Sequence, residues 1–153
     1  MQKGTIDDSI GNIVYWKSDT FDISRDTLFF LHGLTANHTM FEQQFSAFED
    51  TCNIIAWDAP AHGESRPYLD FTYENASNGI KKILDECRIS NVVLIGQSMG
   101  GGLSHRLLSV DTLKRQRLLC RLTQHRMGII IQNQIYGGLG KLNGCRSCFR
   151  KSS

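Results

Sequence analysis

The sequence predicts an α/β fold, with a mostly parallel central sheet and flanking helices. Two observations carry this. Three short apolar runs, Thr27–Leu31 (TLFFL), Asn53–Trp57 (NIIAW) and residues 91–95 (NVVLI), are each followed by a loop rich in glycine and polar residues. Between them lie segments whose apolar residues recur at helical spacing. Short continuous apolar runs suit strands buried on both faces, and their alternation with helices points to parallel pairing.

From the N-terminus, Thr5 and Ile6, then Ile13, Val14, Tyr15 and Trp16, flank a turn-rich centre at residues 7–12 and read as a β-hairpin. After the first central strand, Met40, Phe41, Gln44, Phe45 and Phe48 predict a helix over 37–50, its phenylalanines packing on the sheet. Thr72 is placed to cap the next helix, on which Ala76, Ile80, Ile83, Leu84 and Cys87 form one apolar stripe. The third strand runs directly into Gly96-Gln97-Ser98-Met99-Gly100.

After about Ser104 the pattern degrades. Leu103, Leu107, Leu108, Leu113, Leu118, Leu119 and Leu122 fit a basic amphipathic helix, and 129–131 a short strand. No capping or turn chemistry connects them. Charge breaks at the same place. Residues 1–104 carry 7 Lys and Arg against 14 Asp and Glu, whereas 105–153 carry 10 against one Asp. The chain therefore divides into a patterned region, 1–104, and a basic, poorly patterned tail, 105–153.

Composition narrows the function classes. Apolar residues make up 41% and charged residues 21%, as in soluble globular proteins. No apolar run approaches the ~20 residues that a membrane helix needs, and the N-terminus lacks the pattern of a signal peptide. The five cysteines, Cys52, Cys87, Cys120, Cys145 and Cys148, are odd in number and scattered, which reads as reduced thiols in a cytoplasmic protein. Cys145-Arg-Ser-Cys148 lacks the two further ligands of a metal site, so no metal is expected. The basic stretch over 114–126 has no stacking aromatics and reads as a solvated face rather than a nucleic-acid site.

The chemistry centres on Ser98. A serine hydroxyl needs a base to take its proton and donors to hold the oxyanion that forms. Gly-x-Ser-x-Gly after a buried strand puts the serine on a tight, strained turn, where Gly96 and Gly100 remove side chains that would clash. The Met99 N–H then opens a helix, where the dipole favours negative charge. The loop after the first central strand, His32-Gly33-Leu34, offers the Leu34 N–H as a second donor. The plain alternative for GxSxG alone is a small-residue turn without chemistry. The ordered blocks LHGLTAN, WDAPAHGES and GQSMGG, each at the carboxyl end of a buried strand, are far more specific.

Together these blocks make residues 1–104 resemble the N-terminal half of an α/β-hydrolase-fold serine hydrolase. The resemblance implies Ser98 as nucleophile and the Leu34 and Met99 N–H groups as oxyanion hole. It implies that His32 and Gly33 organise the oxyanion loop, and that Asp58, His62, Gly63 and Ser65 shape a neighbouring loop. It also implies a fold that is incomplete, because the triad acid and histidine of this family come late, in the order Ser…Asp/Glu…His. Asp111 and His125 keep that order, but no strand–loop unit brings either to the sheet edge, and His105 lies on the helix that Ser98 opens. Read one base out of frame from Val110 onward, the permitted codons can spell a helix ending in R-Y-P and a strand F-V-S-I-D. Both resemble the segments that come after GQSMGG in this family, and a frameshifted tail would explain the charge break.

The resulting expectation is a cofactor-free hydrolase acting on an ester-like carbonyl of a small-molecule substrate, with little turnover in this chain. Two other readings stand beside it. One is a non-catalytic interaction protein whose sheet ends after three or four central strands. In the other, a separate chain supplies the missing half.

Overall fold

The computed structural model describes residues 1–90, 92–109, 117–123, 126–131 and 134–137. Among the described residues eight strands form one mixed sheet in the order β1-β2-β4-β3-β5-β6-β7-β8. The first two, β1 (Gln2–Asp8) and β2 (Gly11–Lys17), make the expected hairpin, with Ile6 opposite Ile13. At the centre, β3 (Thr27–Leu31) lies parallel to both β4 (Asn53–Trp57) and β5 (Val92–Gln97).

The continuous apolar runs have a direct cause in this arrangement. Successive side chains of a strand point to opposite faces, and here both faces are covered. Phe29 and Leu31 join Ile55, Trp57 and Leu94 on one face, under Ile80 and Ile83 of α2 (Tyr73–Glu86) and Leu103 and Leu107 of α3 (Met99–Ser109). Leu28, Phe30, Ile54 and Ala56 face the other way, onto Phe41 and Phe45. The Phe30 ring lies 5.1 Å from that of Phe41 and 5.3 Å from that of Phe45. Rings at this separation add to the area they bury.

The predicted helix over 37–50 is made in two parts. A 3-10 turn, His38–Phe41, opens on Asn37, whose side chain accepts from the Thr39 N–H, and α1 (Glu42–Phe48) follows. Thr72 caps α2 as expected, accepting from the Asn75 N–H at 3.0 Å. The helix ends where Arg88 turns left-handed, at φ 55°, and the Ile89 N–H reaches back to the Leu84 carbonyl at 2.8 Å. That bond closes a Schellman-type cap.

Three expectations are corrected. Residues 117–123 belong to strand β6 (Arg117–Thr123), not to a basic amphipathic helix through Leu118, Leu119 and Leu122. That strand lies parallel to β5, with Val93 opposite Arg117. Short apolar runs fit either period, and the open edge of β5 offers backbone partners that spacing alone does not reveal. The sheet also does not end after three or four central strands. β7 (Arg126–Ile131) and β8 (Gln134–Gly137) extend it antiparallel, and β7 contains the strand expected at 129–131. Finally, Cys52 is in a disulfide while Cys87 is free, against the reading of uniformly reduced thiols. Pairing depends on the approach of two Cβ atoms in space, which cysteine spacing does not encode. Among the described residues no helix is long and apolar enough to cross a membrane.

Candidate active site

Three parallel strands, β3, β4 and β5, deliver their following loops to one edge of the sheet. Each loop holds one non-glycine residue in the left-handed region: Thr35 at φ 66°, Ala61 at φ 63° and Ser98 at φ 52°. An L-residue there costs roughly 1–2 kcal/mol. Such outliers persist only where surrounding structure holds them, and they cluster at functional sites.

Ser98 sits between β5 and α3 and is exposed, while Met99 beside it is buried. Its carbonyl accepts the Gly102 N–H at 3.2 Å, which closes the first turn of the helix. The bend is possible because its flanks lack side chains. A Cβ on Gly96 would fall 2.4 Å from the Gly100 carbonyl, and one on Gly100 would fall 2.0 Å from the Leu31 oxygen. The latter contact fastens the start of α3 to the end of β3. The Met99 N–H is the first of the helix N-terminal amides, which have no partner within the helix.

The oxyanion-loop candidates lie against this bend. At Gly33 a Cβ would meet the Gln97 side-chain oxygen at 2.0 Å, so the loop backbone touches the residue preceding Ser98. Leu34 follows, 64% exposed, in a turn closed by the Ala36 N–H to the Gly33 carbonyl at 3.2 Å. His32 is buried, and both its ring nitrogens are in use. Nδ1 lies 2.7 Å from the Gly33 carbonyl, which can only accept, so this nitrogen carries the proton. Nε2 takes the Ala59 N–H at 2.9 Å. The ring is thus a neutral tautomer that ties two loops together. Burial holds its basicity below the ordinary imidazole value.

The third loop is built on Asp58. One carboxylate oxygen accepts both the main-chain N–H of His38, at 2.8 Å, and its Nδ1, at 2.9 Å. The other accepts the Glu64 N–H at 2.7 Å. The Asp58 carbonyl takes the Ser65 hydroxyl at 2.7 Å, and the Ser65 oxygen in turn accepts the Val14 N–H. Gly63, at φ 47°, leaves room for the carboxylate, since a Cβ there would stand 2.0 Å from it. His62 donates from Nδ1 to the Pro60 carbonyl at 2.9 Å, its ring 5.2 Å from that of His32.

The predicted residues thus divide. Ser98, Met99, Gly96, Gly100, His32 and Gly33 come together at one edge, with Leu34 next to them. His105 is on α3, exposed. Asp111, His125, Cys145 and Cys148 lie outside the described residues. Sequence reasoning missed His38, which forms a His–Asp dyad with Asp58 and stacks on Trp16 with centroids 3.5 Å apart. Nothing in its spacing marks it, because its partner is 20 residues away. No group of three or more His, Cys, Asp or Glu among the described residues is placed to hold a metal ion.

Comparison with known proteins agrees with this fold. A family model described as alpha/beta hydrolase fold matches residues 26–120. The uncharacterized hydrolase YugF of Bacillus subtilis is 33% identical over 100 residues, which cover 63% of this chain and 37% of YugF. The AB hydrolase superfamily protein YisY of the same organism is 31% identical over 84 residues, 54% of this chain and 31% of YisY. The chain therefore spans about a third of the length of these relatives. The crystal structure of MGS-M2, an alpha/beta hydrolase enzyme from a Medee basin deep-sea metagenome library, superposes with a TM-score of 0.70. It is 17% identical, and the match covers 76% of this chain and 43% of that one.

Proposed function

The chain belongs to the alpha/beta hydrolase fold family, and from that premise we propose that Ser98 is a nucleophile for the carbonyl of an ester-like small-molecule substrate. The observation that carries this reading is the exposed Ser98 held at φ 52° between a buried strand and a helix. Strain of this kind has no packing purpose, since the side chain it presents is solvent-facing.

In the proposed reaction Ser98 Oγ adds to the carbonyl carbon and its proton passes to a base. The negative oxygen of the tetrahedral intermediate is held by the N–H groups of Met99 and Leu34. The alcohol leaves with a proton, and water then releases the acyl group. Gly33, Gly96 and Gly100 let the two donor segments approach, and His32 fixes the loop between them. The chemistry requires no cofactor.

His32 is not that base. His32 has no free ring nitrogen. His62 donates from Nδ1 to a main-chain carbonyl beside His32, and the Nδ1 contact of His38 with the buried Asp58 carboxylate is the kind of pairing that orients a triad histidine. Slow turnover is expected of this chain, in which the late acid and histidine of the family are not found, because removing a triad member leaves only roughly 10³–10⁴-fold catalysis over water. Labelling by a fluorophosphonate, read by intact mass and peptide mapping, tests the nucleophile directly. One adduct is expected on Ser98, and none on Ser98→Ala. Labelling of equal extent in both proteins would remove Ser98 from the role.

A further inference from the structure

One aromatic ring near Ser98 has no part in the proposed reaction. A connected row of rings runs from His32, after β3, to His62 at 5.2 Å and Phe71 at 5.6 Å on the loop between β4 and α2, and from Phe71 to Tyr73 at 6.1 Å. The row begins in the core, where His32 and His62 are buried, and emerges at Tyr73, which is 45% exposed. Tyr73 is the first residue of α2, held in place by the Thr72 cap.

The phenol of Tyr73 lies along the first turn of α3. A Cβ on Gly102 would meet its Cε1 at 3.3 Å and its hydroxyl at 3.5 Å. Gly102 is four residues beyond Ser98 and donates its N–H to the Ser98 carbonyl. The ring therefore lies against the first turn of α3, the turn that Ser98 opens. Its hydroxyl has no hydrogen-bond partner among the described residues. A structural tyrosine in a core normally buries its ring and satisfies its hydroxyl, as Tyr15 does on Glu86 at 2.8 Å. Tyr73 does neither.

We infer that Tyr73 is a specificity-determining residue, the wall on which a flat, apolar part of the substrate rests while its carbonyl faces Ser98. An aryl-bearing ester is the substrate class this favours. A ring stacked on Tyr73 gains contact beyond the area it covers, and the free hydroxyl can donate to a polar group at the ring's edge. Pockets of this kind combine an apolar wall with a few placed polar groups. The inference rests on the proposed role of Ser98 for its location, and one experiment separates the two.

The full chain is labelled with fluorotyrosine and followed by fluorine NMR, with the Tyr73 signal assigned by its loss in Tyr73→Phe. Two non-hydrolysable ketones are titrated, benzylacetone and methyl butyl ketone. Benzylacetone is expected to move the Tyr73 signal and leave that of Tyr15 unmoved. Tyr73→Ala is expected to weaken benzylacetone binding about tenfold and to leave the alkyl ketone within about twofold. A Tyr73 signal that stays still up to the solubility limit overturns the inference without recourse to any variant. So does an equal loss of affinity for both ketones. Ser98→Ala is titrated in parallel. If benzylacetone still moves the Tyr73 signal there while fluorophosphonate labelling fails in the parent, the nucleophile reading falls and the aryl wall stands. If Ser98 labels but the Tyr73 signal does not move, the wall falls alone.

Discussion

The two edges of the sheet hold left-handed residues in different ways. At the carboxyl edge, Thr35, Ala61 and Ser98 stand in three separate loops, and two of these pack on distant groups, Gly33 against Gln97 and Gly100 against Leu31. At the opposite edge Arg88 adopts the same region, but as the end of α2, where its own helix supplies the hydrogen bonds. Arg88 is a local solution that many sequences reach. The Gly33 and Gly100 turns instead pack against Gln97 and Leu31, whose positions are set by the sheet. The first kind of strain lies at the edge that holds the candidate site, and the second ends a helix.

The largest test of this contrast is removal of Asp58. Its buried carboxylate accepts three hydrogen bonds that hold the β4 loop and His38. Asp58→Ala is expected to cost about 3–5 kcal/mol, by urea unfolding, because the donors are left unpaired. Gly100→Ala should cost about 1–3 kcal/mol and slow Ser98 labelling, since the new methyl group drives α3 away from the Leu31 carbonyl.

The glycine series sharpens the comparison. Ser98→Gly and Ala61→Gly should each raise stability by about 1 kcal/mol, with Ser98→Gly also abolishing labelling. Arg88→Gly should raise it by about 0.5–1 kcal/mol and leave the labelling rate unchanged. If Arg88→Gly altered the rate as well, the separation of the two edges would be lost.

The smallest expected effect is in pH. Burial lowers the His32 value from the ordinary 6.5. The unfolded chain therefore takes up this proton before the folded chain does. The contribution is complete above about pH 6.5 and is lost as pH falls through the depressed folded value. The urea midpoint should fall between about pH 7 and pH 5, and His32→Gln should flatten part of that fall.

Much of this architecture is legible in local sequence. The strands Thr27–Leu31 and Asn53–Trp57 occur where the apolar runs predict them, because burial on both faces needs apolar residues at the successive positions after the first. The Thr72 cap and the α2 stripe arise from neighbouring residues alone. At Ser98, Gly-x-Ser-x-Gly after a strand predicts a strained bend, and the φ of 52° is that strain. His38 was not legible, and neither was β6, whose leucines at 118, 119 and 122 fit a helix and a strand about equally well.

The sequence by itself therefore determines periodicity and turn stereochemistry, which depend on residues adjacent in the chain. The tertiary structure alone decided that Asp58 would recruit the His38 ring, that Gly100 would seat on Leu31, and that Tyr73 would lie over Gly102. Each of these contacts joins loops or helices that the register of β3, β4 and β5 brings to one edge. Register is a property of strand pairing across the sheet, so no window along the chain contains it.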